Sequence, residues 1–465
     1  MNKARESTAI EALSANVLDT RFEDLDKVTI ENAKNRIIDV VGCIIGGTNA
    51  AGNSAIVNLI KKWGGEKEAT ILGHGGKVPA HHAAMLNAIM ARSFDYEVMM
   101  VLVEDKMIPS HYSATTVPTA LTLGEAKEIN GKELITALVV GDDVAARVLA
   151  ASGSNMGLGW DGTGTLSHLG ATAIAGRLLG LTRLQMRYAF GIMLNQVAGA
   201  SQGIWDGATT FKLGQGAAAR NAIFSAELAK LGWTGVEDAL LSRFGYFNLF
   251  TRGCKNPEML TGDLGKKFYA EANFKPYPCC LATHRPIEAA LSLVAGYPIT
   301  AENIEKVTVG VPRGSLDDFC AKPFRPGDFF HCQSIYSFQY TVATALLRGS
   351  VKQEHFTEKA VRDPRITALI AKTTLEELPG PGGNRFEVKV KIANGKEYAE
   401  SRDTARGNPI SQPLSQAEII AKYRAQVEFS KTVSRSNSEK LLALFARLEE
   451  VDNVNKIPEL AVIQN

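Results

Sequence analysis

FEVKVKIANGKEYAES, from Phe386 to Ser401, alternates apolar and polar side chains on either side of Asn394 and Gly395, the pattern of a β-hairpin. Alternation buries every second side chain on one face, and Asn-Gly supplies the left-handed backbone of a two-residue turn. Upstream, IEKVTVGVP, residues 304–312, alternates in the same way. The hairpin is therefore expected at one edge of a sheet that includes this strand. Helical spacing fills the interval in SIYSFQYTVATALLRG, residues 334–349, and DPRITALIAKT, residues 363–373. Residues 271–404 thus read as a compact α+β domain. The loop ELPGPGGN before the hairpin lacks the lysine and serine of a phosphate loop, so it reads as a turn or connection.

On both sides of this unit the periodicity is helical. ENAKNRIIDVVGCIIGG, AAMLNAIMARSF, GKELITALVVGDDVAARVLAA and QGAAARNAIFSAELAKLG precede it, most of them rich in Ala and Gly, which let helices approach closely. SQAEIIAKYRAQVEF and SNSEKLLALFARLEEV follow it, each begun by a serine suited to capping. No fixed period marks a repeat protein. The expected fold is α+β: a large helical domain from residues 1–270 plus 405–465, with 271–404 inserted as a smaller lid. A cleft between two such domains is a common place for a small-molecule site.

Composition narrows the partners. In 465 residues, 45% hydrophobic and 22% charged, a net charge of +2 with no dense basic run gives no footprint for nucleic acid or an anionic membrane. The six cysteines form no CxxC pair, as in a cytosolic protein with reduced thiols. The start MNKARESTAIEALSANVLD is no export signal, and the apolar runs are too short to span a bilayer. A cytoplasmic protein with a small-molecule partner is expected.

Four stretches carry candidate chemistry. In FKPYPCCLATHRPIEAA, residues 274–290, two prolines precede a helical pattern, so Thr283 is the expected N-cap and His284 opens the helix. SFDYEVMM places Asp95 after an Ala-rich helix, and MIPSHYSATTVPTALTLGEA places His111 in a polar loop entering the next one. A carboxylate beside an imidazole orients a base and holds its tautomer, which proton abstraction next to a carboxylate requires. GIWDGATTFKLGQGAAARN puts Lys212 beside a helix amino terminus, a combination that suits a substrate carboxylate. GLGWDGTGTLSHLG offers Thr163 and Thr165 in a Gly/Thr/Ser loop before a helix, as a second carboxylate cradle. The plain alternatives are a capping Asp95, solvated His111 and Lys212, and a surface or capping His284. No HExxH, GxSxG or GxGxxG after a strand is present, and adjacent His81 and His82 diverge on a helix, so no metal or organic cofactor is expected.

In order and spacing these segments resemble the MmgE/PrpD family. The marks are IIDVVGCIIGG, FDYE with SHYSATTVPTAL, GRLLGL with FGIMLNQVAGA, KLGQGAAARNAIFSAELAKLGWTG, YPCCLATHRPIEAAL, and GNP with a helix ending in KYR. The resemblance implies a helical domain built from both chain ends, an α+β lid, a homodimer and no required metal. It also implies roles for Asp95, His111 and His284. Three positions depart from its tricarboxylate-processing members: Met99 stands for a threonine, Asp161 for a histidine in the substrate site, and Phe211 for a lysine, with Lys212 next to it. The expected function is a cofactor-free lyase that abstracts a proton α to a carboxylate, dehydrating or decarboxylating a small hydroxy or unsaturated polycarboxylate. His111 and His284 would serve as base and acid, Asp95 would orient His111, and Lys212 with the Thr163 loop would hold substrate oxygens. The alternatives are an epimerase of a small dicarboxylate and a noncatalytic carboxylate-binding protein.

Overall fold

A computed structural model describes residues 8–153, 159–269, 271–380 and 383–463. Helices dominate it, and small residues set their spacing. The Gly131–Ala151 helix is buried along its length except at Lys132 and Glu133. It crosses the Gly162–Leu178 helix so closely that a Cβ on Gly141 would stand 2.8 Å from the Gly170 carbonyl oxygen. The Lys27–Gly47 helix meets the Ala80–Arg92 helix more tightly still, with 2.0 Å between a Cβ on Gly47 and the Met90 carbonyl oxygen. Buried Arg36 pairs with Asp142 at 2.5 Å and Arg147 with Asp143 at 2.7 Å, so the charges inside this helical body are matched. The Gln416–Ser430 helix, opened by a capping box at Ser415, packs back on the Lys27–Gly47 helix. The next helix starts at Arg435, capped by Ser434.

Among the described residues eight strands accompany the helices: β1 (Ala69–Thr70), β2 (Lys77–Val78), β3 (Met100–Val103), β4 (Lys106–Pro109), β5 (Ile304–Val311), β6 (Thr373–Glu377), β7 (Phe386–Ile392) and β8 (Glu397–Arg402). The last four form one sheet in the order β6-β5-β7-β8, with β5 and β6 parallel and the other pairs antiparallel. The expected hairpin is β7–β8, with β8 at the edge and Gly395 at φ +81° in its turn. Phe386, Val388, Val390 and Ile392 are buried in alternation along β7. The His284–Gly296 helix packs on β7 and β8. The sheet's core also takes in Cys43, Phe94, Tyr96 and Phe211 from the helical part. That junction holds the site.

Two hairpins lie in the half expected to be helical. One is β1–β2; the other, β3–β4, turns through Glu104 and Asp105 with Glu104 at φ +54°. The supposed polar loop before His111 is therefore largely strand β4. Likewise the Gly/Thr/Ser stretch expected as a loop at Thr163 and Thr165 is helix from Gly162 onward. Thr283 does precede the His284 helix, but its hydroxyl donates to the Cys280 carbonyl and caps no helix N–H. No described helix is long and apolar enough to cross a membrane.

Adding one methyl at the Gly47 crossing forces the Met90 backbone away. Gly47→Ala should destabilise by about 1–3 kcal/mol, the usual cost of overpacking, seen as a lower urea midpoint. An unchanged midpoint would mean that the two helices separate freely there.

Candidate active site

The Ala80–Arg92 helix ends in a turn that brings Asp95 back over the helix. Asp95 takes a left-handed backbone, φ +49°, donates its N–H to the Arg92 carbonyl at 3.1 Å, and pairs its carboxylate with the Arg92 guanidinium. Two residues on, Glu97 pairs with the same guanidinium at 3.2 Å. The β3–β4 hairpin then doubles the chain back, so that the N–H groups of Ser110 and His111 both donate to the Met99 carbonyl, at 2.6 and 3.2 Å. His111, also left-handed at φ +57°, sets its Nδ1 2.7 Å from Glu97 Oε1 and its Nε2 3.5 Å from Asp95 Oδ1. Left-handed residues other than glycine cost energy and concentrate at functional sites. Here two of them aim one carboxylate and one imidazole at each other.

Lysine completes the cluster from the other half of the chain. Ala272 bridges to Val101, and Asn273 Oδ1 accepts the N–H groups of Met99 and Met100 at 3.1 and 2.6 Å. The segment is thereby pinned beside the hairpin, and Lys275 places its Nζ 2.9 Å from Asp95 Oδ1 and donates to the Asp95 carbonyl. Arg92 also donates to the Tyr336 hydroxyl at 3.0 Å and stands over the Phe211 ring, 5.6 Å from its centre. All these groups are buried.

Electrostatics follow from the pairing. Burial opposes ionisation of Asp95, yet Arg92, Lys275 and His111 together hold it well below the usual carboxylate range. Glu97 is lowered as well, burial being outweighed by Arg92 and His111. For His111, burial and then Arg92 favour the neutral ring, against Asp95 and Glu97. Two cations face two carboxylates, so the cluster is balanced with His111 neutral. Asp95, Glu97 and His111 lie close enough to share a metal ion. Their charge is already met by Arg92 and Lys275, which a divalent cation would have to displace.

His284 belongs to the same field. Burial and then Lys275 lower its pKa to about 3, against the Cys279 carbonyl and Asp95. Its Nε2 lies 3.2 Å from that carbonyl, which fixes the Nε2–H tautomer, while Nδ1 is buried with no hydrogen-bond partner. An acceptor lone pair is left waiting in the interior.

The remaining expected residues fall differently. Lys212, lowered by burial to about 7, donates to Ala51 O and Asn53 Oδ1 at 2.7 Å and to Ser93 Oγ at 3.4 Å. Its protons are used in the interior, so in place of the expected anion contact the structure shows a clamp on Ala51, Asn53 and Ser93. Thr165, expected in a cradle, is buried, donates to the Gly162 carbonyl and meets the Tyr246 hydroxyl at 3.1 Å. The side chain of Thr163 lies outside the described residues. Asp161 precedes the Gly162 helix; its backbone N–H donates to Gly199 O at 2.8 Å, and its charge reaches Arg92. Arg92, Glu97, Lys275 and Tyr336 were not singled out from sequence, although each lies in or beside a quoted motif.

Two family models match the chain: the MmgE/PrpD N-terminal domain over residues 11–258 and the MmgE/PrpD C-terminal domain over 277–449. The chain belongs to the MmgE/PrpD family. Among similar proteins, human cis-aconitate decarboxylase is 26% identical over 98% of this chain and 93% of its own length. The Aspergillus terreus cis-aconitate decarboxylase is 24% identical over 94% and 92%. A 2-methylcitrate dehydratase from Cupriavidus necator is 24% identical over 77% and 76%.

Removing one partner of a buried ion pair typically costs about 3–5 kcal/mol. Asp95→Asn should destabilise the protein by about that much at pH 7. A folded pKa below the unfolded one gives stability that is present above the unfolded value of about 3.9 and lost as pH falls toward the folded value. The penalty of Asp95→Asn should therefore shrink as pH drops below about 4, read from urea midpoints; a pH-independent penalty would contradict the pairing.

Proposed function

We propose that this MmgE/PrpD protein is a cofactor-free lyase that removes a proton α to a carboxylate of a small hydroxy or unsaturated acid. The observation that carries the reading is His284, a neutral imidazole with its tautomer set by Cys279 and its Nδ1 unpartnered beside Lys275 and Asp95. That lone pair takes the proton, and the electron pair of the broken C–H bond moves into an enolate-like intermediate. His111, neutral at rest with its Nδ1 proton held by Glu97, takes up a second proton at Nε2 from solvent on substrate binding and passes it to the leaving hydroxyl, which departs as water. The proton on His284 later returns to solvent. In a decarboxylation carbon dioxide leaves instead, and the carbanion left behind takes the proton. Asp95 orients His111 and is itself held by Lys275 and Arg92. A preset, water-poor cluster stabilises developing charge without reorganising.

The lyase reading draws support from relatives that are a decarboxylase and a dehydratase. Two imidazoles in the field of Asp95, His111 in contact with it and His284 through space, also suit the second reading, epimerisation, in which the proton returns to the opposite face. In this proposal residues 271–404 act as a lid over the centre. The working form is a homodimer, as the family resemblance implies.

Proton NMR in D2O with hydroxy, amino and unsaturated carboxylates tests the reading. Deuterium uptake or a new product is expected, falling about 100- to 10,000-fold in His284→Ala and in His111→Ala, the usual range for general acid–base groups. Turnover that survives both substitutions would overturn it, and ligand binding without any turnover would favour the noncatalytic alternative.

A further inference from the structure

A cavity of about 380 Å³ is lined by the segments that carry this centre. Its wall includes Met99, Asn273, Ala282 and Arg285, each a near sequence neighbour of a site residue: Glu97, Lys275 and His284. Met99 gives the carbonyl that receives the His111 N–H, and Asn273 is the residue that pins the Lys275 segment. The cavity is therefore formed by the same backbone that sets the reacting groups.

Its lining is of two kinds. Met99, Met100, Met107, Leu281 and Ala282 make an apolar side. The charged part of the wall is Arg285, stacked 4.5 Å from the Phe386 ring centre and donating one guanidinium N–H to Asn384 O at 2.5 Å, together with Asp403, whose carboxylate acts on Arg285 through space, and Arg406. Arg285 has no ion-pair partner among the described residues, whereas Arg406 on the same wall is paired with Glu418. Around the reacting centre the other cations are engaged: Arg92 and Lys275 by carboxylates, Lys212 by three neutral oxygens. The guanidinium fork with spare donors is that of Arg285. Such a fork matches a carboxylate in two-point geometry.

We propose that this cavity is the substrate's binding pocket and that it takes a compound with one anchoring carboxylate, held by Arg285, joined to an apolar substituent lying on the methionines. This rests on the proton-transfer reading for its chemistry but not for its binding. A tricarboxylate would bring two further charges to a centre whose cations are already paired, and would set a polar group against methionine side chains. Desolvating those charges without partners is costly.

Isothermal titration with tiglate (2-methylbut-2-enoate) and cis-aconitate separates the two substrate classes. Tiglate should bind more tightly than cis-aconitate, and its affinity should fall at least tenfold in Arg285→Gln. Arg285→Lys, which keeps the charge but loses the fork, should fall between them and serves as the test if Arg285→Gln unfolds. Met99→Thr should weaken tiglate and leave cis-aconitate no weaker. Tighter binding of cis-aconitate by the wild-type protein, no binding of tiglate, or an unchanged tiglate affinity in a folded Arg285 variant would overturn the proposal. Binding is also read in His284→Ala. Proton exchange is read with 3-hydroxy-2-methylbutanoate, the hydrate of tiglate, which carries an α proton. Its Arg285-dependent binding without exchange in the wild type would remove the proton-transfer reading and keep the pocket, and exchange without Arg285 dependence would do the reverse.

Discussion

Arg92 holds two carboxylates at once, and the rest of the site depends on that contact. Asp95 and Glu97 are buried, and two carboxylates a few ångströms apart cannot both ionise in a dry interior unless cations face them. Arg92 meets both from the last turn of its own helix, and Lys275 adds the second positive charge. Once both carboxylates are ionised, His111 has an acceptor for its Nδ1 proton and a defined orientation. Without the cations the acids would take up protons, and the imidazole would lose what aligns it.

The fold pays close attention to this loop through packing far from it in sequence. Lys422, near the chain's end, pairs with Asp39 at 2.6 Å, donates to the Tyr96 carbonyl at 2.7 Å and stands 3.9 Å from the centre of the Tyr96 ring. The residue between Asp95 and Glu97 is thus fastened by one helix from each end of the chain. Lys212 fastens the neighbouring Ser93 from a third helix, and His331 lies 2.6 Å from the Ser93 carbonyl. Helices that cross at glycine bring these long-range ties within reach. Close packing and the placement of acid–base groups are one arrangement.

Much of this was legible in the residues. Alternation around Asn394–Gly395 gave the sheet edge, because a half-buried strand leaves a period-two record in sequence. Serine before a helical run gave the capping box at Ser415, and two prolines before an apolar helix gave the start at His284. The β3–β4 hairpin was missed because its turn, Glu104–Asp105, carries no glycine or asparagine, and the left-handed Glu104 is imposed by the strands. Without the hairpin, the meeting of Glu97 and His111 cannot be foreseen. Lys275 reaches Asp95 only through the bridge at Ala272, a tertiary contact with no local pattern. Lys212 misled for a related reason: proximity to a helix start says nothing of which neighbours consume its protons.

The central claim is that His284 is a neutral base with an open Nδ1, in a cluster where His111 is oriented through its own Nδ1. The most direct measurement is 15N NMR of the imidazole nitrogens in protein labelled at histidine, from pH 5.5 to 8. His284 should stay neutral throughout, with Nε2 protonated and Nδ1 showing the shift of a bare lone pair, and His111 should show a protonated Nδ1. An imidazolium at His284 near neutral pH, or a proton on its Nδ1, would contradict the claim.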